Sequence, residues 1–170
     1  MATPQITPTQ APPAKAVTLH PIVFATDFSP ASKGALEKAI EMARKEGTEL
    51  IVAHVYEPPA SLSHSGVADD LIEAELEATI RKDVEKQLDP VLSMARASGV
   101  KVRGEILAGH AAKELALLAD RNGAAMVVIG THGRTGIKKL VLGSVASQVI
   151  ATRPIVVIAH VTQIQPKIPW

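Results

Sequence analysis

The sequence contains no cysteine and few aromatic side chains: two Phe, one Tyr and one Trp in 170 residues. The first absence excludes disulfides, thiol chemistry and cysteine-based zinc sites, and it suits a reducing compartment. The second means that the core must be assembled from Val, Ile, Leu and Ala. It also removes the stacking platforms on which single-stranded nucleic acid is held. An excess of one charge is missing as well. The formal net charge is +1, and without a basic face nucleic acid is not expected as a partner. Long hydrophobic runs are absent too. AAMVVIG and PIVVIAHV are the longest, well short of the ~20 residues that span a bilayer, so no membrane contact is expected. The opening MATPQITPTQAPPAKAV has neither a charged start nor a continuous apolar stretch, so no signal peptide is expected, and a cytoplasmic location is expected.

What is present is an ordinary globular composition, 46% hydrophobic and 21% charged, in a chain of the size of one domain. The Pro, Thr, Gln and Ala segment over residues 1–19 offers nothing periodic to bury and reads as a flexible arm. A domain is expected over 20–162 and a short tail over 163–170. Within the domain strands and helices alternate. PIVFATD (Pro21–Asp27) is a branched, apolar run of the kind buried on both faces. Ser29-Pro30 supplies an N-cap followed by proline at the first helical position, and Ala35, Leu36, Ala39, Ile40 and Ala43 follow at helical spacing up to Gly47. ELIVAHVY (Glu49–Tyr56) is a second strand. A long helix is expected from Asp69 to about Ala97, acidic first and basic later, with Pro90 kinking or interrupting it. Val100–Leu107 is a third strand, His110–Arg121 a helix, Ala124–Thr131 a fourth strand, Ser144–Thr152 a helix and Pro154–Val161 a fifth strand. Such alternation predicts an α/β fold, a doubly wound five-stranded parallel sheet. Ligands bind beyond the carboxyl ends of the strands in such sheets, where the strand order reverses.

Two strands carry unusual carboxyl ends: Thr26-Asp27 on the first, and Gly130-Thr131-His132-Gly133 on the fourth. The latter opens GTHGRTGIKKLVLGSVA, which holds Gly130, Gly133 and Gly143 followed by Ser144. This is neither a Walker A loop nor the dinucleotide fingerprint, since position 132 is His. Its physics is nevertheless that of phosphate binding. Glycines let successive N–H groups approach an anion, and a helix starting at Ser144 adds free N–H groups and a partial positive charge. The alternative is a merely structural loop. Asp27 as a turn cap, Ser144 as an ordinary N-cap, and Arg134, Lys138 and Lys139 as a solvated face are the corresponding plain readings. The histidines are dispersed, and no His/Asp/Glu spacing makes a metal site. His54 and His160, inside apolar strands, read as packed or interface residues.

The spacing Gly-x2-Gly-x9-Gly-Ser resembles the nucleotide-binding signature of the universal stress protein family. So do the first strand ending in Asp before Ser-Pro-Ala-Ser, the AHV strand, the Ala-Gly-His after the third strand and the Arg-Pro before the last. The resemblance covers roughly His20 to Val161, and every signature position is kept, as in the family's ATP-binding branch. It implies a Rossmann-like sheet ordered 3-2-1-4-5, a site for ATP or AMP, with Mg²⁺ as a companion ion, and a homodimer paired through the last strand, Ile155 to Val161. Ala25, Thr26 and Asp27 would then line the nucleoside end, and Val55 would offer backbone to adenine. Ile129, Gly130, Thr131, His132 and Gly133 would meet ribose and phosphate, beside Arg134. Gly143, Ser144, Val145 and Ala146 would hold the phosphates. No water-positioning base stands out for phosphoryl transfer. A nucleotide-binding regulator of the stress response is therefore the leading reading. A slow ATPase or self-phosphorylating protein and a structural dimer with a vestigial pocket are the alternatives. The connection over Pro58–Gly66 is expected to flank the pocket.

Overall fold

A computed structural model describes residues 19–58, 67–130, 145, 147–148 and 156–158. The chain order is β1 (Ile22–Ala25), α1 (Pro30–Glu46), β2 (Leu50–Tyr56), α2 (Val67–Ala97), β3 (Val102–Ala108), α3 (Ala111–Arg121), β4 (Met126–Ile129) and β5 (Val156–Ile158). Val145, Ser147 and Gln148 are helical, where a helix is expected from the sequence. All strand pairs are parallel, and the order is β3-β2-β1-β4-β5, as the family resemblance implies. The order reverses between β1 and β4, so the switch point lies at their carboxyl ends.

The few aromatics set how the core is filled. On one face of the sheet, α1 and α2 cover Ile22, Phe24, Leu50, Val52 and Val128 with Leu36, Ile40, Leu88 and Leu92. On the other, α3 presents Ala112, Leu115, Leu118 and Ala119 to Val23, Ile51, Ala53 and Val127. The central strands are buried on both faces, which is why their sequences are continuously apolar rather than alternating. At the end of α1, Gly47 adopts φ 65°, and the Thr48 N–H then reaches the Ala43 carbonyl at 3.0 Å.

Of the two outcomes expected at Pro90, a kink or an interruption, the second does not occur: the helix is continuous over Val67–Ala97, 31 residues with Pro90 inside it. Proline removes the N–H that would answer the Lys86 carbonyl. Both residues lie on the exposed side of α2, where water can take that carbonyl. Val84, Leu88, Leu92 and Ala95 meanwhile keep the opposite stripe buried. All of the expected arm (1–19) but Leu19, residues 59–66 of the connection, both ends of the expected fifth strand (154–155 and 159–161) and the tail lie outside the described residues.

Candidate functional site

The carboxyl end of β1 is where the chain departs most from regular geometry. Ala25 is the last residue of the strand, in register with Ala53 of β2 and Ile129 of β4. Thr26 still donates its N–H to the Ala53 carbonyl at 2.9 Å. The chain then folds back on itself through two side-chain turns. The Phe28 N–H donates to Thr26 Oγ1 at 3.0 Å, and the Ser29 N–H donates to Asp27 Oδ1 at 3.0 Å. Between them Phe28 takes φ 60°, a left-handed conformation that residues other than glycine rarely adopt. Such strain persists only where neighbours over-determine it. Here they do so: the Phe28 ring stacks on His54 with centroids 4.4 Å apart, and the His54 ring donates from Nδ1 to the Thr26 carbonyl at 2.7 Å. Thr26 is buried, and its hydroxyl is hydrogen-bonded to Ser32 Oγ at 3.2 Å. Neither Phe28 nor His54 is marked by the sequence as part of a site. His54 is packed, as expected of a histidine inside an apolar strand.

The turn holds the Asp27 carboxylate half-buried at the rim of the crevice. Ala25, Val55, Ile129 and Val145 come from four separate elements and join one apolar cluster, on the α3 side of the sheet. Val55 adds a main-chain feature. The β1–β2 ladder ends at the Ala25–Ala53 pair, while β2 continues to Tyr56. Along a strand, alternate residues direct their N–H and C=O to the same neighbour. Ala53 accepts from β1, so the Val55 N–H and C=O point the same way, past the point where β1 has left the sheet. The crevice is thus floored by small apolar side chains and edged by one donor and one acceptor. A half-buried carboxylate stands on one side and the end of β4, Ile129 and Gly130, on the other.

Of the residues singled out in the sequence, Ala25, Thr26, Asp27, Val55, Ile129, Gly130 and Val145 are brought to this edge. Thr131, His132, Gly133, Arg134, Gly143, Ser144 and Ala146 lie outside the described residues. Among the described residues no group of three His, Cys, Asp or Glu side chains is placed to hold a metal ion, and no helix is long and apolar enough to cross a membrane.

Comparison with known proteins agrees with this architecture. A model of the universal stress protein family matches residues 18–159. The chain is similar to the universal stress protein MJ0531 of Methanocaldococcus jannaschii, 33% identical over 131 residues that cover 76% of this chain and 74% of that protein. Among solved structures it resembles that of the M. jannaschii protein MJ0577, with a TM-score of 0.73 at 24% identity over 84% of this chain and 96% of the other. It also resembles a universal stress protein from Archaeoglobus fulgidus solved in complex with dAMP, with a TM-score of 0.58 at 27% identity over 82% and 96% of the two chains.

Proposed function

We propose that this chain, which belongs to the universal stress protein family, binds an adenine nucleotide at the carboxyl edge of β1 and β4. It acts in the stress response as a homodimer whose conformation or partners change with nucleotide state. The observation that carries this reading is the convergence of Ala25, Val55, Ile129 and Val145 on one apolar floor beside the Asp27 carboxylate. An adenine ring needs a flat apolar slot and a donor–acceptor pair, and the floor and the free edge of Val55 supply them. A ribose diol needs an acceptor, and Asp27 supplies it, because only Oδ1 is engaged, by the Ser29 N–H. The phosphates would belong to the Gly133 to Ser144 stretch, whose glycines and closing Gly-Ser are, in sequence, suited to an anion. The A. fulgidus relative solved with dAMP supports an adenine nucleoside monophosphate as the minimal ligand. A Mg²⁺ ion would accompany ATP rather than reside in the protein. The dimer would form through β5, the outermost strand of the sheet among the described residues, since an outer strand edge is a template for pairing.

The test is to denature freshly purified protein, identify any released nucleotide by mass spectrometry, and titrate the stripped protein with AMP, ADP and ATP. Stoichiometric binding of at least one, weakened tenfold or more by Asp27→Asn, is expected. Asn keeps an oxygen for the Ser29 N–H, but it loses the charge and puts an amide NH2 in place of the carboxylate oxygen left free. Absence of both released nucleotide and saturable binding would overturn the proposal. Light scattering tests the dimer separately, and a monomer at all accessible concentrations would remove that part.

A further inference from the structure

In a parallel ladder a residue bonds to the two neighbours of the residue opposite it. The β1–β2 ladder obeys this up to Ala25 and Ala53, where the Thr26 N–H still reaches the Ala53 carbonyl at 2.9 Å. Continued in the same register, the next rung would set Val55 opposite Asp27. The Val55 N–H would then donate to the Thr26 carbonyl, and the Val55 carbonyl would accept from the Phe28 N–H. Neither bond is made among the described residues. Both partners are taken by side chains. The His54 ring donates from Nδ1 to the Thr26 carbonyl at 2.7 Å, and the Phe28 N–H donates to Thr26 Oγ1 at 3.0 Å. The rung is not missing for want of strand. β2 runs on to Tyr56, and its other edge stays in register with β3 as far as Ala108. It is missing because polar side chains compete with the ladder for its main-chain groups.

Both competing side chains work from the far face of the sheet. Successive residues of a strand point to opposite faces. Thr26 follows Ile22 and Phe24, and His54 follows Leu50 and Val52, all on the side of α1 and α2. Ala25 and Val55 belong to the crevice floor on the side of α3. Phe28, on which the His54 ring stacks, packs with the first group. The Thr26 hydroxyl is also fully engaged. Ser32 Oγ donates its proton to the Ser29 carbonyl at 2.7 Å, so Thr26 is the donor in its 3.2 Å bond to Ser32.

We infer that His54 and Thr26 are positioning residues: their side chains hold one rung of the β1–β2 ladder open, so that the Val55 N–H and C=O are presented to a ligand instead of to β1. Main-chain groups left without partners are costly. The two side chains satisfy the Thr26 carbonyl and the Phe28 N–H, which leaves only the Val55 pair for the ligand to answer. A ladder closed in the free protein would have to break before a base could bind, and an open rung removes that cost in advance. The identity of the ligand rests on the nucleotide reading above; the open rung does not.

Amide hydrogen exchange and NMR couplings across hydrogen bonds, measured on the full chain without ligand, test the open rung. In the wild type the Val55 amide should exchange freely while Ile51 and Ala53 are protected. His54→Phe keeps a ring against Phe28 but has no donor. In that variant a coupling between the Val55 N–H and the Thr26 carbonyl should appear, and Val55 exchange should slow about tenfold or more. Its AMP affinity should fall about tenfold, as the loss of one hydrogen bond to the ligand requires. His54→Asn sets an N–H donor at the position of Nδ1. It should leave Val55 unprotected and AMP affinity within about threefold of the wild type. Thr26→Val should release the other bond, with a coupling between the Phe28 N–H and the Val55 carbonyl. A role confined to packing would lower stability in these variants without moving the Val55 amide. The inference is overturned by a Val55 amide already protected in the wild type, or still unprotected in His54→Phe. It is overturned equally if His54→Asn behaves like His54→Phe, or if AMP affinity is undiminished where Val55 has become protected. A wild type that binds no AMP, with Val55 captured in His54→Phe, would overturn the proposed function and leave the open rung standing.

Discussion

β1 enters and leaves the sheet in opposite ways. At its amino end everything is tied down. The Ile22 N–H donates to Glu49, Leu50 to Lys101 and Ala125 to Pro21, all at 2.8–2.9 Å, and the buried Thr48 hydroxyl donates to the His20 carbonyl at 2.7 Å. The His20 ring in turn donates to Gly123 at 2.8 Å. Glu49 faces both Lys101 and Arg103, and Arg103 also reaches Glu105 and Asn122. At the carboxyl end the chain turns through a strained Phe28, Val55 extends past its neighbour, and the Ser29 hydroxyl has no partner. The difference teaches where each role was placed. One edge closes the sheet with conventional bonds. The other has a strained turn and main-chain groups beyond the end of the β1–β2 ladder, and it is the edge proposed to receive the nucleotide.

If that division holds, substitutions at the two edges should separate stability from binding. The largest effect belongs to the closed edge. Leu50 is fully buried at the amino end of β2, and Leu50→Ala should cost about 2–5 kcal/mol of stability. Urea unfolding measures that cost, and AMP affinity at a temperature where the variant is folded should stay within twofold. A parallel collapse of affinity would blur the two edges into one. Next comes the open edge. Asp27→Asn should reduce nucleotide affinity tenfold or more, about 1.4 kcal/mol, with less than about 0.5 kcal/mol lost in unfolding. The reverse pattern would make Asp27 a turn cap and nothing else.

Much of this contrast could be read from the sequence, and its limits are physical. The alternation of apolar runs with helical spacing predicts the five strands, because strands buried on both faces must be apolar throughout. The resemblance to the family supplies their order. Asp27 and Gly130 stand out because they end the two strands whose carboxyl ends are expected to converge, and Gly130 opens the glycine pattern. Phe28 and His54 do not stand out. Their roles depend on a φ angle and on a ring meeting a carbonyl 28 residues away, and no local pattern encodes either. Pro90 does not end the helix because a helix-breaking tendency of one residue is weaker than a buried stripe of Val84, Leu88, Leu92 and Ala95.

Two smaller effects sharpen the comparison further. Thr48→Val at the closed edge leaves the His20 carbonyl without its donor and should cost about 1 kcal/mol. Thermal unfolding measures this, and nucleotide affinity should not move. At the far end of β2, Tyr56 is buried and donates to Glu77 at 2.8 Å. Burial first, and then the Glu77 carboxylate, hold its phenol above the ordinary value of 10.0. The protonated form is therefore favoured in the folded state. That contribution is complete below the unfolded value and is lost as pH rises through the raised folded value. Between about pH 9 and 12 the wild type should lose more stability than Tyr56→Phe, and parallel pH profiles would contradict the assignment.

The most direct measurement is an NMR titration of backbone amides with AMP. The account predicts shifts at Ala25, Thr26, Asp27, Val55, Ile129 and Gly130, with Leu50, Lys101, Arg103 and Ala125 unmoved. Saturating shifts centred on the amino edge, or no shifts at millimolar AMP, would contradict it.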